Sequence, residues 1–480
     1  MPKFVFLWTD VVLYAMLLVL AWYGWRIKAK ANLRANWVKV ARDPAALCAG
    51  IVLALFALVT LVDSVHFRRA LPPAAGAAAG APTFYATSTE SLLDALMSRQ
   101  IEMRETNYSQ PLAYVGFNKE AIERDDKPAR DYPRLKFAGS HLADPQAQWV
   151  GDVMFRTLSG AVGGLLLAAL ALFGTAWVLR GSHGGTVAAI RDIAADSTHM
   201  PVRAGLITLA IIFVLAGMVI ALMGHYHVFG TDRTGNDVFY QALKSVRTAF
   251  VIGTLATVAT LPFAVVLGIL AGYFRGWVDE VIQYLYTTLT SVPNVLLIAA
   301  CVLMMQVFLD KHPDMFETGS ERSDIKIFLL CVILGLTGWA TLCRLVRGET
   351  LKLRELEFVQ AATAFGVGHA RIMSRHIAPN VMHLVLITTV LSFSELILYE
   401  AVLTYVGVGV DPSMNSFGGM INLARSEMSR DPVVWWSFAA AFAFMVTLVL
   451  AANLFADGVR DAFDPRARNF RPRIRKGVAA

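Results

Sequence analysis

Nine long runs of apolar residues alternate with polar segments along the chain. Each run holds roughly 20 residues, the length that an α-helix needs to cross a hydrocarbon core of about 30 Å. Because no water reaches the centre of a bilayer, a spanning segment is either a helix or part of a closed barrel, and continuous apolar runs exclude the barrel. The pattern predicts membrane-spanning helices at residues 4–25, 45–62, 158–179, 204–224, 249–273, 281–309, 327–347, 384–407 and 434–456.

The composition agrees with a membrane protein and excludes a water-soluble domain. Of the 480 residues, 56% are hydrophobic and only 16% are charged, which is far from the usual soluble composition. The net charge of +7 is explained by basic cytoplasmic loops rather than by a nucleic-acid partner. No metal site is predicted, because His225 and His227 lack a third ligand and the cysteines show no CxxC spacing. The cysteines are Cys48, Cys301, Cys331 and Cys343.

The basic residues predict the orientation of the spans. The loop after the first span is strongly basic, which places it in the cytoplasm and the N-terminus outside. Alternate crossing then puts residues 348–383 and the basic tail 458–480 in the cytoplasm, whereas the acidic loop 310–326 lies outside. The basic residues of the first loop are Arg26, Lys28, Lys30, Arg34, Lys39 and Arg42, against Asp43 alone.

Residues 63–157 form a long outside segment. It begins with an Ala/Pro/Gly-rich stretch at 71–82, which predicts a flexible linker. The mixed polar sequence that follows is consistent either with a small folded cap or with partial disorder, and the sequence leaves both open. The predicted organisation is an N-terminal extension with three spans at 1–203, a six-span core at 204–457 and the tail at 458–480.

The polar segment 357–380, between the seventh and eighth spans, has the features of a docking loop. Three alanines keep one face of a short helix low, so that the backbone of another protein can approach it. Gly366 allows a sharp turn into a second short helix, and Pro379 marks the approach to the next span. The segment resembles the cytoplasmic "EAA" loop of importer-type ABC permeases, although Gln360 stands where that loop often has Glu. The alanines are Ala361, Ala362 and Ala364.

Four ordered stretches extend this resemblance from about residue 225 to residue 468. Together they resemble the second-permease subunit of the dipeptide, oligopeptide and nickel importer family, with Asn236 where that family has Arg. The stretches are 229–238 (FGTDRTGNDV), 272–279 (GYFRGWVD), 291–294 (SVPN) and 400–420 (EAVLTYVGVGVDPSMNSFGGM).

The resemblance implies an all-α polytopic membrane protein with a six-helix type I ABC importer permease core, preceded by about three extra transmembrane helices and an outside loop. It implies a permease subunit in the bacterial inner membrane that forms the translocation path for peptides or a related small solute. The implied partners are a second permease subunit of a different sequence, two ATP-binding subunits, a periplasmic solute-binding protein and membrane lipid. No cofactor is expected in this chain, which has no phosphate-binding loop; ATP and Mg²⁺ are expected on the partner subunits.

The resemblance also implies two groups of site residues and no catalytic residue. The residues implied to couple to the ATPase are Glu357, Gln360, Ala361, Ala362, Ala364, Gly366, Arg371, His376 and Pro379. The residues implied to have a structural role in the family motifs, most of them on the periplasmic side, are Gly230, Thr231, Asp232, Gly235, Asp237, Pro293, Glu400, Gly407, Gly409, Pro412 and Gly418.

The alternative function is a secondary transporter driven by an ion gradient. Glu395 and Glu400 lie in or near the eighth span, and carboxylates inside a membrane are costly enough to be functional candidates. Glu400 also has a purely structural interpretation. It matches a family motif, and it is expected to be hydrogen-bonded within the bundle near the outer surface. A membrane-embedded enzyme finds no support, because the chain has neither HExxH nor GxSxG.

Overall fold

The structure, a computed structural model, describes residues 2–71, 84–124, 127–316 and 318–463. Among these residues, nine helices are long and apolar enough to cross a membrane, which confirms the predicted all-α polytopic fold. The predicted tail beyond Phe463 and nearly all of the predicted linker lie outside the described residues. The spans are Trp8–Ala29, Pro44–Asp63, Pro145–His183, Val202–Leu222, Val238–Phe274, Asn294–Lys311, Gly319–Arg354, His369–Tyr405 and Trp436–Phe463.

The elements are named in chain order. The helices are α1 (Trp8–Ala29), α2 (Ala31–Arg42), α3 (Pro44–Asp63), α4 (Leu92–Leu96), α5 (Ser98–Glu102), α6 (Pro145–His183), α7 (Thr186–Ala194), α8 (Val202–Leu222), α9 (Val238–Phe274), α10 (Gly276–Ser291), α11 (Asn294–Lys311), α12 (Gly319–Arg354), α13 (Glu357–Ala364), α14 (His369–Ile372), α15 (Ala378–Tyr405), α16 (Phe417–Glu427) and α17 (Trp436–Phe463). A 3₁₀ turn covers Pro313–Met315 and a π-helical turn covers Met373–Ile377. The strands are β1 (Lys3–Val5), β2 (His66–Arg68), β3 (Glu90–Ser91), β4 (Glu120–Arg124) and β5 (Lys127–Asp131).

Several helices extend well beyond the apolar runs that predicted them. The run at 158–179 belongs to α6, which begins at Pro145, and the run at 249–273 belongs to α9, which begins at Val238. Hydropathy identifies only the part of a helix that is apolar enough to lie in the hydrocarbon core of a bilayer. The backbone hydrogen bonds of the helix continue into water with polar side chains, so the predicted ends fall short.

The predicted sixth span at 281–309 is wrong as a single helix. Helix α10 ends at Ser291 and α11 begins at Asn294. Pro293 has no N–H group to donate, and its ring disfavours the helical conformation at the residue before it. Val292 accordingly adopts an extended conformation, with φ −90° and ψ 135°. The hydropathy of an apolar run does not reveal such a break, because hydropathy depends on side-chain polarity and not on backbone geometry.

Helices α9 and α12 pack against each other along most of their length at the centre of the bundle, and α3, α15 and α17 pack around them. Small residues bring the two central helices close: a Cβ added at Gly335 would lie 2.5 Å from Ala259 Cβ. A second close pair, α6 and α8, packs at the edge of the bundle against α3. There a Cβ at Gly160 would lie 2.3 Å from the backbone oxygen of Gly217, as expected for small residues at a membrane helix interface.

One end of the bundle carries a folded unit, which we call the cap and which comprises the described residues between 64 and 144. Strand β1 from the N-terminus pairs with β2, which pairs with β3, and β4 and β5 form a separate hairpin. The cap has its own buried side chains, including Leu93, Met97 and Tyr108. Of the two possibilities that the sequence left open, the described part of the segment is therefore folded.

A group of buried charges joins the N-terminal helices to the core, and we call it the ion cluster. Arg247 of α9 donates from Nη2 to Oδ1 of Asp10 at 2.7 Å, and the same carboxylate is 2.7 Å from Nδ1 of His66. Asp324 of α12 accepts from the backbone N–H of Thr9 at 3.0 Å and lies 3.9 Å from Arg247. The carboxylates of Asp10 and Asp324 are almost fully buried. The N-terminus of the chain is thus held against both central helices by charge.

Candidate functional site

The end of the bundle opposite the cap carries two short helices that we call the elbow, residues 355–377. Helix α13 ends in a turn in which the backbone N–H of Val367 donates to the carbonyl of Ala362 and that of Gly366 donates to the carbonyl of Thr363, each at 3.0 Å. This is the Schellman arrangement, which needs a left-handed residue after the helix. Gly366 supplies it with φ +72°. The turn predicted at this glycine is therefore present.

The elbow is seated firmly on the core. Val359, Ile372 and Ile377 are at most 1% exposed and pack against residues of α9 and α12 in one apolar cluster. The hydroxyl of Tyr273, at the end of α9, lies 2.8 Å from Nδ1 of His369 in α14. Movement of the outer face of the elbow is thereby tied to movement of the central helices.

The outer face of the elbow carries exposed apolar side chains. The side chain of Phe365, next to the turn, is 87% exposed, and Phe358 on the same helix is 45% exposed. Ala361 and Ala364 are exposed between them and present only methyl groups. Large exposed apolar side chains around a low surface are typical of a protein interaction site.

The structure places the nine predicted coupling residues in or next to the elbow. Gln360 bonds within it, through Nε2 to the carbonyl of Glu355 at 3.2 Å. Ala362 is half-buried against the core, and His376 is half-buried with its ring near Phe358. The exposed members are Glu357, Gln360, Ala361, Ala364, Gly366, Arg371 and Pro379.

A π-helical turn ends the elbow and leads directly into α15. It covers Met373–Ile377 and ends two residues before Pro379. Proline cannot donate to the carbonyl four residues earlier and clashes with it, which favours a local widening of the helix. Pro379 thus marks the entry to the eighth span, as predicted from its position.

At the cap end, the first family motif binds the cap to the core. Thr231 is buried; its hydroxyl accepts from the backbone N–H of Ser109 at 2.7 Å, and its carbonyl accepts from Nε1 of Trp436 at 2.9 Å. Gly230 and Gly235 have φ of +71° and +77°, and a Cβ at Gly235 would lie 1.9 Å from the carbonyl oxygen of Glu105. These glycines are needed because the backbone of the cap touches them directly.

Two aspartates order the same motif. Asp232 accepts from the backbone N–H groups of Thr234 and Asn236 at 2.7 and 2.9 Å. Asp237 caps α9 by accepting from the backbone N–H of Tyr240 at 2.9 Å, which satisfies an otherwise orphan helix donor. Asn236, where the resembled family has Arg, donates through its side chain to Asp232 and Thr234 and so closes the loop on itself.

A histidine between two carboxylates lies beneath this motif. His227 is 1% exposed; its Nδ1 is 2.8 Å from Asp237, and its Nε2 is 3.7 Å from Glu105. Glu105 also accepts three backbone N–H groups from residues 136–138 of the cap at 2.8 to 3.0 Å. Burial opposes the charged imidazolium, but the two carboxylates outweigh it and raise the pKa of His227 to about 9.

This histidine predicts a pH dependence of cap stability. Its pKa in the folded protein exceeds the ordinary value of 6.5, so its stabilising contribution is complete below pH 6.5 and is lost as the pH rises through about 9. We expect protection of the cap backbone, measured by hydrogen exchange corrected for intrinsic rates, to fall across this window. The variant His227→Gln should lack that part of the fall; an unchanged profile in the variant would contradict the assignment.

The last family motif forms a compact corner at the cap end of α15. Glu400 is fully buried and accepts from the hydroxyl of Thr404 at 2.8 Å. A Cβ at Gly409 would lie 2.0 Å from the same hydroxyl oxygen, and one at Gly418 would lie 2.7 Å from the carbonyl of Ala401. Within the same motif, Gly407 has φ +88° and Pro412 is exposed. Pro293, the remaining predicted structural residue, lies at the start of α11, at the break between α10 and α11. Glu400 is hydrogen-bonded within the bundle through Oε1, as the structural interpretation expected, whereas its Oε2 has no hydrogen-bond partner among the described residues.

Sequence reasoning missed several residues that the structure makes prominent. Phe365 was not selected, although a phenylalanine before a turn glycine in a polar loop is a detectable signal. Glu105 carried no signal at all, because its partners are backbone groups and a histidine more than 100 positions away. The ion cluster was missed for the same reason, since Asp10 and Arg247 are 237 positions apart.

Comparison with known proteins agrees with these motifs. Residues 264–469 match the family model described as binding-protein-dependent transport system inner membrane component. The chain is 32% identical over 252 residues to the oligopeptide transport system permease protein OppC of Mycobacterium tuberculosis strain H37Rv, covering 52% of this chain and 80% of that protein. It is 31% identical over 243 residues to the dipeptide transport system permease protein DppC of Alkalihalophilus pseudofirmus, covering 51% and 73%.

A solved structure of the MetNI methionine ABC transporter in inward-facing conformations aligns with 46% of this chain and 93% of its own, at 15% identity and a TM-score of 0.34. The extent and identity of the two sequence matches settle the relationship independently. The chain belongs to the binding-protein-dependent transport system inner membrane components, and within that family to the permease subunits of peptide-type ABC importers.

Proposed function

We propose that this chain forms one half of the translocation path of an importer for peptides or related small solutes, with its elbow docked in a separate ATP-hydrolysing subunit. The observation that carries the proposal is the elbow itself. It combines an exposed apolar tip at Phe365 with a buried base that packs on α9 and α12. A pull on the tip therefore acts on the two central helices.

The proposed orientation has the cap outside and the elbow in the cytoplasm. The basic helix α2 lies at the elbow end, where Trp37 contacts Phe463 at the end of α17. Acidic residues lie at the other end, including Asp310 in the last turn of α11 and Asp314 in the 3₁₀ turn that follows it. Positive charge is retained on the cytoplasmic side of bacterial membranes, which supports this orientation and the bacterial inner membrane as the location.

The proposed assembly has two permease subunits, two ATP-binding subunits and a solute-binding protein on the outside. The second permease is proposed to be a different chain. ATP-driven closure of the two ATPases would bring two elbows together and switch the path from inward-open to outward-open. ATP and Mg²⁺ would bind only to the ATPase subunits, so this chain transmits force and does no chemistry.

The ion-gradient alternative gains no support from the two glutamates. Glu395 is exposed on the surface of α15, and Glu400 is fully buried and accepts a hydrogen bond from Thr404. Family membership accounts for the motif that contains Glu400 without any role in proton transfer.

Replacing Phe365 by Ser tests docking directly. Truncating a central apolar anchor of an interface costs about 2 kcal/mol or more, so we expect roughly thirty-fold weaker binding of the ATPase and a matching loss of ATP-driven uptake. Binding is measured by co-purification at graded ATPase concentration. Phe84→Ser, which alters a phenylalanine of the cap that is 71% exposed, is the matched control. Equal ATPase binding by the two variants would refute docking through this tip.

A further inference from the structure

Helix α10 carries its polar side chains along one exposed side. They recur every three or four positions, which places them on a single face of an α-helix. An open groove of about 500 Å³ runs along this face. We call the face the polar stripe, and it comprises Glu280, Gln283, Tyr284, Thr287, Thr288 and Ser291.

The rest of α10 is mainly apolar and divides into a packed side and an exposed flank. Ile282 and Tyr286 are buried in the apolar cluster that α10 shares with α9 and α12. Val281 and Leu285 are 49% and 46% exposed. At 3.6 residues per turn, the side chains of Leu285 and Thr287 point about 160° apart. The exposed surface of α10 therefore has one polar flank and one apolar flank.

Two ion pairs mark the depth of α10 in the membrane. At the elbow end, Arg347 of α12 donates to Asp279 at 2.6 and 2.7 Å, and at the cap end Arg322 of α12 pairs with Asp310 of α11. The stretch of α12 between the two pairs is about 38 Å long, comparable to a hydrocarbon core of about 30 Å. Ser291 lies at most about 18 Å along α10 from Asp279. The end of α10 is therefore inside the hydrocarbon core.

The break between α10 and α11 lies at the same depth and exposes backbone groups. Ser291, Val292 and Pro293 are exposed. The backbone N–H groups of Asn294 and Val295 have no hydrogen-bond acceptor among the described residues, and no side chain caps the start of α11. Such groups are strongly unfavourable in hydrocarbon, so irregular backbone occurs at membrane depth only where protein covers it or water reaches it.

Water fits the polar stripe better than a dry protein contact does. Close helix contacts in membranes use small residues, as at Gly160 and Gly217 of this chain, whereas the stripe presents the bulky Tyr284, which is 71% exposed. The hydroxyls of Thr288 and Ser291 donate to carbonyls within α10 at 2.8 and 2.7 Å. Their oxygen lone pairs therefore remain as acceptors for water.

We infer that the polar stripe and the break at residues 292–293 line the water-filled part of the translocation path, with Val281 and Leu285 toward lipid. The inference rests on the proposed function, because it assumes that two permease subunits enclose a path between them. Beyond Glu280 at its cytoplasmic end, the stripe consists of hydroxyl and amide groups. Such a wall lets a hydrated solute pass without holding it, since conduction requires weak contacts.

The test compares the two flanks of α10 by cysteine labelling of the transporter in nanodiscs, assembled with its second permease and ATP-binding subunits. Thr287→Cys lies on the polar stripe, and Leu285→Cys is the matched control, exposed at nearly the same depth on the apolar flank. The reagent is a charged, membrane-impermeant methanethiosulfonate. Two native cysteines are buried, and the two half-buried ones, Cys48 and Cys301, are first replaced by alanine.

Labelling of Thr287→Cys should be at least about tenfold faster than labelling of Leu285→Cys, because hydrocarbon excludes both the charged reagent and the reactive thiolate. Ser291→Cys, beside the break, should behave like Thr287→Cys. Equal labelling of the two flanks, or no labelling of either position on the stripe, overturns the inference.

Nucleotide separates this inference from the proposed function. Trapping the ATPase subunits with ATP and vanadate should change the labelling rate of Thr287→Cys, because the path switches from inward-open to outward-open, and should leave Leu285→Cys unchanged. Selective labelling of the stripe that nucleotide does not alter supports the inference and overturns the proposed ATP-driven function. Equal labelling of the two flanks in a transporter whose uptake is ATP-driven overturns the inference alone.

Discussion

Replacing Arg247 by Met is expected to lower the free energy of unfolding by about 3–5 kcal/mol, the cost of removing one partner from a buried ion pair. Arg247 is 4% exposed, and it is the cation that faces both Asp10 and Asp324, which are 1% and 0% exposed. In the variant both carboxylates stay buried, and their mutual repulsion is no longer compensated by the guanidinium. The packing of α1 against α9 and α12 should fail first.

The measurement is thermal unfolding of the purified chain in detergent, together with the rate of proteolysis within the segment before α1, which contains β1. Arg460→Met is the matched control, since Arg460 is 51% exposed and its pairs with Asp457 and Asp461 lie on the surface. Surface pairs contribute only about 0–1 kcal/mol, so this variant should unfold close to the wild-type temperature.

A compensating variant separates lost charge pairing from lost packing. Adding Asp10→Asn and Asp324→Asn to Arg247→Met removes the uncompensated charges, so we expect much of the lost stability to return. The side chain at 247 remains methionine in both proteins, so packing alone cannot explain a recovery. If Arg247→Met melts with the wild type, or if the triple variant is no more stable than the single one, the ion cluster does not hold the extension to the core.

The sequence was informative wherever a signal is local along the chain. Nine apolar runs predicted nine spans, and the described residues contain nine helices that are long and apolar enough to cross a membrane, although the sixth run is divided between α10 and α11. Three alanines and a glycine predicted two short helices joined by a turn, and α13, Gly366 and α14 have that form. The hydrophobic pattern, the turn residues and the small residues each determine structure within a few positions of the chain. These features can therefore be recognised from the sequence alone.

The rest depends on contacts between distant residues. Strand β1 pairs with β2 across 61 to 65 positions of chain, with Lys3 opposite Arg68 and Val5 opposite His66. Nothing in the sequence of either segment indicates its partner. The buried state of Asp10 follows from the place of Arg247 in the bundle. The break at Pro293 was visible as a proline, but its effect on the sixth span was outweighed by the length of the apolar run.

Gly366→Leu is expected to uncouple ATP hydrolysis from transport while leaving insertion and folding intact. Gly366 has φ +72°, and a Cβ added there meets nothing within 4 Å, so the substitution strains the backbone but clashes with nothing in this chain. A side-chain-bearing residue in the left-handed region costs roughly 1–2 kcal/mol. The turn can relieve that strain only by leaving the shape that we propose fits the ATPase, so we expect about tenfold weaker docking.

The same loop contains a matched control for this prediction. Gly368 is also exposed and also has no neighbour within 4 Å of an added Cβ, but its φ is −58°, which any residue adopts. Gly366→Ala should therefore reduce peptide uptake and the peptide-stimulated ATPase rate of the assembled transporter, and Gly368→Ala should change neither. Gly366→Leu should be worse than Gly366→Ala, because the larger side chain also projects from the docking face. Were both alanine variants to transport like the wild type, the left-handed turn at Gly366 would not be what shapes the elbow for its partner.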